Sequence, residues 1–135
     1  MVFFLVITSF NKEVAVQPCS DLLGIETYKV YTIDVTVTGY SSTKDQCDND
    51  PFITASNKKV RKGYIALSRD LLYKFNKDAP FKWGDEIYII INGSRHGPFV
   101  VEDTMNKRLT NRADIWFTSY NEAINWGKKK GKIIY

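Results

Sequence analysis

The chain is short of the residues on which many enzymes of its size depend. Its 135 residues include one histidine, His96, and two cysteines, Cys19 and Cys47. A single histidine excludes any mechanism that needs two, and it leaves no His-rich metal site to build. That histidine falls in a predicted hairpin turn, which also removes the serine-triad enzymes. The cysteines stand in no CxxC spacing. They pair once or stay free, and a zinc site made from Cys19, Cys47 and His96 matches no ligand spacing. There is no GxGxxG, P-loop, GxSxG or HExxH motif.

Long apolar runs are also missing. The opening MVFFLVITSF is apolar over about nine residues, too short to span a bilayer, so no membrane span is expected. No Lys or Arg precedes it and no small-residue cleavage site is obvious. Residues 1–27 therefore read as a lead-in that holds either a buried first strand or a short or truncated export signal. Cys19 lacks the small residue that precedes a lipid-modified cysteine.

What is present suits one domain with its own core. Hydrophobic residues make up 44% and aromatic residues 14%, enough for a packed interior without staples. The formal charge of +4 favours an anionic partner without naming one. Nucleic acid, a membrane surface and an acidic cell-wall polymer all fit.

The pattern is that of strands. YKVYTIDVTVTGY alternates with period two from Tyr28 and reads as one long strand. SSTKDQCDNDP is a polar loop, FITAS a short strand, NKKVRKG a basic turn and YIALS another short strand. In SRDLLYKFN, Ser68 is placed to cap a short helix with Leu71, Leu72 and Phe75 on its apolar face. EIYIIING and SRHGPFVVED form a hairpin around Asn92–Gly97, and NRADIWF is a further strand. Ser119 and Glu122 make a capping box for a helix that Gly127 ends, before a last strand, KIIY. About seven short strands, two short helices and no βαβ rhythm indicate a mainly β protein, a small closed barrel.

Two acids stand out. Asp103 and Asp114 each sit at a strand boundary, where a carboxylate can enter a groove with an apolar floor. Neighbouring carboxylates push one pKa up and make a general acid usable near neutrality. The structural alternative is that each caps a turn or pairs with Arg108 or Arg112. Asp45, Asp48 and Asp50 lack the glycine and distal glutamate of a calcium loop and read as solvated. Lys58, Lys59, Arg61 and Lys62 form one basic patch. Lys128–Lys130 and Lys132 form another, with Trp116, Tyr120 and Trp126 nearby in sequence. These read as solvated faces, with a nucleic-acid surface as the minor alternative.

Taken in order, VTVTGYSSTKDQCDNDPFITASNKKVRKGYIALSRDLL, FKWGDEIYI, FVVEDTMNKRLTNRADIWF and NEAINWGKKKGKIIY resemble the three-aspartate (3D) domain family, from about Val35 to Tyr135. The resemblance implies a double-psi β-barrel for residues 28–135, similar to the barrel of membrane-bound lytic transglycosylase A and of expansins. It implies action on peptidoglycan glycan strands in the bacterial cell envelope, periplasmic or secreted, with no metal or organic cofactor. Asp114, in RADIWF, matches the family's third aspartate, the catalytic acid of the lytic transglycosylases. Asp103, in EDT, matches the second. Ser68 stands where the first aspartate is expected, and Asp70 is the next acid. Tyr40 and Thr54 match groove-lining positions, and Thr104 and Arg112 flank the two acids, so Tyr40, Thr54, Ser68, Thr104 and Arg112 are the expected substrate-binding set. The expected reaction cleaves the MurNAc–GlcNAc bond with 1,6-anhydro ring formation. The departure at Ser68 opens the alternative of an expansin-like module that grips glycan without cutting it. Nucleic acid is not expected, because the aspartates that define the resemblance repel phosphate.

Overall fold

Ile33, Val35 and Val37 alternate with Asp34, Thr36 and Thr38, and that period-two pattern forms the longest strand among the described residues. Residues 12–14, 29–43 and 50–135 are described by a computed structural model. Its strands are β1 (Lys12–Val14), β2 (Val30–Ser41), β3 (Tyr64–Leu67), β4 (Glu86–Ile91), β5 (Ser94–Thr104), β6 (Arg112–Phe117) and β7 (Lys129–Ile134), with one α-helix, α1 (Tyr120–Trp126). Six strands close in the order β2-β6-β3-β5-β4-β7 and back to β2, while β1 pairs outside the barrel with the start of β2. The protein is thus mainly β, a closed six-stranded barrel. Two of its neighbouring pairs are parallel, β2 with β6 and β3 with β5, consistent with the double-psi form that the resemblance implies.

Closure lets β2 serve three neighbours. One edge carries β7 along Thr32–Val37, and the other carries β1 and then β6 from Thr36 to Ser41. The inward residues of all six strands, among them Val37, Ile65, Ile89, Val101, Ala113 and Ile133, form a single core, with Leu71, Leu72 and Phe81 joining it. Burial of such side chains contributes about 1.5–3 kcal/mol each before entropy is counted. Helix α1 packs on β2 and β6. It can approach because Gly39 has no side chain: a Cβ there would meet Phe117 Cε2 at 2.6 Å and Ala123 Cα at 3.3 Å.

Several expectations hold in detail. The capping box of Ser119 and Glu122 is formed and Gly127 ends α1. The β4–β5 hairpin turns on Asn92 and Gly93, both with positive φ, 49° and 77°. That pair of left-handed residues defines the two-residue turn whose twist matches its strands.

Others need correction. FITAS is not a strand. It folds back as a loop that makes one isolated β-bridge among the described residues, between Ile53 and Lys59. The second helix is only a 3-10 turn, Arg69–Leu71, and Ser68 does not cap it with its side chain. The last strand starts at Lys129, earlier than KIIY, because Lys130 and Lys132 fall on the barrel's outer face, alternating with Gly131 and Ile133. There Lys130 Nζ donates to Thr36 Oγ1 at 3.1 Å and Lys132 pairs with Asp34. His96 lies within β5, opposite Ile89, and packs edge-on against Trp126. The expectations for residues 1–11 and for Cys19, Asp45, Cys47 and Asp48 fall outside the described residues. Asp50 is described, and its Oδ1 accepts from the Phe52 N–H at 3.1 Å. No helix among the described residues is long and apolar enough to cross a membrane.

Candidate active site

The two aspartates meet on either side of one alanine. Ala66 of β3 is opposite Asp103 of β5 in one register and opposite Asp114 of β6 in the other. Directly paired residues project to the same face, so both carboxylates stand over Ala66. Their strands lie two spacings apart, roughly 9–10 Å between backbones. Around them opens a groove of about 1210 Å³, whose wall includes Tyr40, Thr54, Arg69 and Thr104.

Asp114 reaches this face by simple alternation. Its neighbours Ala113 and Ile115 are core residues, so Asp114 points outward. Asp103 does not. It lies two residues after Val101, a core residue, and strict alternation would drive it into the barrel. The β3–β5 register shifts between Ile65 and Ala66: Ile65 pairs with Val101 but Ala66 pairs with Asp103, so Glu102 is an extra residue. This bulge re-aims the chain and turns Asp103 out into the groove.

The bulged Glu102 is itself buried, with 1% of its surface exposed. It is satisfied by Lys58 Nζ and Ser56 Oγ, each at 2.5 Å, and its carbonyl accepts from the Ser56 N–H at 3.1 Å. Loop 54–58 is thereby fastened over the groove, which places the Ala55 N–H 2.9 Å from Asp103 Oδ1. The same oxygen accepts from the Thr104 N–H at 2.9 Å, and Oδ2 accepts from the Tyr40 hydroxyl at 3.0 Å.

Asp114 is held much more lightly. Its Oδ1 accepts from Thr38 Oγ1 at 2.8 Å, and among the described residues no other group hydrogen-bonds it. Burial in the groove floor raises its pKa from 3.8 to about 6; the Thr38 bond pulls it down, the charge of Asp103 pushes it up and Arg112 lowers it slightly. No ion pair joins Asp114 to Arg112 among the described residues, and Arg112 does not line the groove.

The expected site residues therefore separate. Asp103, Asp114, Tyr40, Thr54 and Thr104 come together around the groove. Thr54 serves its own turn: its hydroxyl lies 3.0 Å from Ser56 Oγ and accepts from the Lys58 N–H at 3.1 Å, with 4% of the residue exposed. Thr104 Oγ1 donates to the Leu67 carbonyl at 3.3 Å. Ser68 is a correction. It is fully buried and does not line the groove, and its Oγ accepts from the Arg112 N–H at 3.0 Å, so it ties β3 to β6. Arg112 is a second correction, since its contribution at the site is a weak field and a backbone donor. Asp70, the next acid after Ser68, accepts from the Asn111 N–H at 2.9 Å and splints the same junction.

Four residues of the site escaped sequence reasoning. Thr38 could have been found, because it shares the outward face of β2 with Tyr40. Ala66 gave no signal, being small and apolar. Glu102 offered only its place beside Asp103. Arg69 lines the groove with its Nε buried and unpartnered among the described residues, its guanidinium lying 4.7 Å from the Phe75 ring centre. No protein-family model matches the chain, and no curated protein matches it.

Proposed function

We propose that this protein is a lytic transglycosylase that cleaves the glycan strands of bacterial peptidoglycan, with Asp114 as acid and then base. One observation carries the reading. Asp114 lies in an open groove without an arginine partner, beside a second carboxylate, with its pKa raised to about 6. A carboxyl group so placed is protonated in a useful fraction of molecules near neutrality and accepts the proton back readily. The order of motifs that resembles the 3D family adds the substrate class and a location in the cell envelope.

The steps follow from the two oxygens of Asp114. Oδ1 accepts from Thr38, which leaves Oδ2 to carry the proton. Oδ2–H protonates the oxygen that links MurNAc to GlcNAc as the bond from MurNAc C1 breaks. The leaving sugar departs with a hydroxyl group, and positive charge spreads over C1 and the ring oxygen. The carboxylate of Asp103 favours that charge through space. The Asp114 carboxylate then removes the proton from the MurNAc C6 hydroxyl as its oxygen bonds to C1. A 1,6-anhydro ring closes, Asp114 regains its proton and no water is consumed.

Digestion of purified peptidoglycan tests this. Anhydro-muropeptides are expected from the native chain and none from Asp114→Asn. Absence of products from the native chain, or undiminished release by the variant, would overturn the reading. A second reading, an expansin-like module that binds glycan without cutting it, draws on Ser68 in place of an aspartate. It predicts co-sedimentation with cell wall, no products and binding indifferent to Asp114→Asn.

A further inference from the structure

Beside the groove lies a smaller pocket, of about 370 Å³, that no step above uses. Trp116, Phe52 and Tyr120 are among the residues that line it. Trp116 follows Asp114 by two residues on β6 and pairs in register with Tyr40, just as Asp114 pairs with Thr38. The indole is therefore on the same outward face as the proposed acid, roughly 6–7 Å further along the strand. Its Nε1–H donates to Ser42 Oγ at 2.9 Å, which fixes the plane of the ring.

The surface chemistry of this pocket is unusual for a chain of this size. Phe52 is 54% exposed and Tyr120 51% exposed, so two of the three aromatic residues that line the pocket leave about half their surface in water. Exposed aromatic clusters of this kind mark binding surfaces. The cluster is not purely apolar. Ser42, Thr43 and Thr118 contribute hydroxyl-bearing positions, and the exposed Lys59 stands at the rim. An apolar peptide or lipid gains little from such edges. A pyranose ring matches them, since its C–H face lies flat on an aromatic plane while its edge hydroxyl and amide groups meet polar atoms. Lys59 adds a cation for a ring that bears a carboxylate.

The pocket also continues the groove along two chain segments at once. Tyr40 and Ile53 line the groove, and their neighbours Ser41 and Phe52 line the pocket. We propose that Trp116, Phe52 and Tyr120 form a further sugar subsite, which takes a ring of the same glycan strand beyond the bond that Asp114 cleaves. This inference rests on the transglycosylase reading for the identity of the strand. The subsite makes recognition depend on chain length, so the protein would favour long strands over disaccharide ends.

The test is a titration of the Asp114→Asn protein with peptidoglycan fragments of defined length, a disaccharide and a tetrasaccharide, followed by nuclear magnetic resonance. Backbone amides of Ala55 and Thr104 report on the groove, and the indole N–H of Trp116 reports on the pocket. The tetrasaccharide is expected to shift both sets and the disaccharide only the groove. Tyr120→Ala, on the exposed wall, is expected to weaken tetrasaccharide binding by about tenfold and disaccharide binding by less than about twofold. Trp116→Ala is expected to do the same. Groove signals that move with the tetrasaccharide while the Trp116 indole stays still would overturn the subsite and leave the proposed function standing. Movement of Trp116 alone would overturn the shared strand, and no movement of either set would overturn subsite and function together.

Discussion

Replacing Asp114 by asparagine should inactivate the protein and stabilise it. In the native fold the carboxyl's pKa is raised from 3.8 to about 6, chiefly by burial. Between those values the folded state holds a proton that the unfolded chain has released, so stability falls as pH rises through that window. Below pH 3.8 both states are protonated and nothing is lost. Above pH 6 the full penalty applies. The rise corresponds to about 3 kcal/mol at 1.36 kcal/mol for each tenfold change, an upper figure because the side chain keeps some contact with water. Asparagine cannot ionise, and its carbonyl can still accept from Thr38. The variant should gain about 1–3 kcal/mol at pH 7.5 and almost nothing at pH 3.5. Urea unfolding of both proteins at the two pH values measures this, and an equal slope with urea confirms that the unfolded states match. A variant less stable than the native chain at pH 7.5, or a difference that does not change with pH, would refute the burial argument. In the proposed reaction the same group sets the pH profile. As general acid it must be protonated, so kcat/KM should fall about tenfold per pH unit above pH 6.

Other outcomes follow from neighbouring contacts. Thr38→Val removes the bond that pulls the Asp114 pKa down, so the alkaline limb of the pH–rate profile should move to higher pH, while Thr38→Ser should leave it in place. Lys58→Met leaves Glu102 buried without its cation and should cost about 2–3 kcal/mol in urea unfolding, against about 1 kcal/mol for Glu102→Gln, which keeps the shape and frees the half-exposed lysine to meet water. Gly39→Ala should cost about 1–3 kcal/mol, because the new methyl collides with the Phe117 ring beneath α1; circular dichroism melting would show it as a lowered Tm.

The sequence made the barrel legible where period two was clean. β2, β4, β5 and β6 follow from alternation, and α1 follows from its capping box, since both signals are local. FITAS misled because β-branched and aromatic residues favour strands, whereas here loop 54–58 is ruled by a distant partner, Glu102. Ser68 misled for a related reason. A serine before a predicted helix looks like a cap, but the neighbouring strand β6 supplies an N–H that claims its hydroxyl. At the site, the two aspartates were visible as acids beside apolar runs. What aims them was less so. Thr38 lies 76 positions from Asp114 and comes beside it only through parallel pairing of β2 with β6. The bulge that turns Asp103 outward has no local signature, because it exists only in the register between β3 and β5.

In the proposed reaction Asp114 breaks a glycosidic bond and the sugar's own C6 hydroxyl closes the product. The direct measurement is digestion of purified peptidoglycan in heavy-oxygen water, with mass spectrometry of the released muropeptides. That reaction gives anhydro products one water lighter than hydrolysis would give, free of heavy oxygen, and absent with Asp114→Asn. Products that carry one heavy oxygen at a reducing end, or an intact polymer after exposure to the native chain, would contradict it.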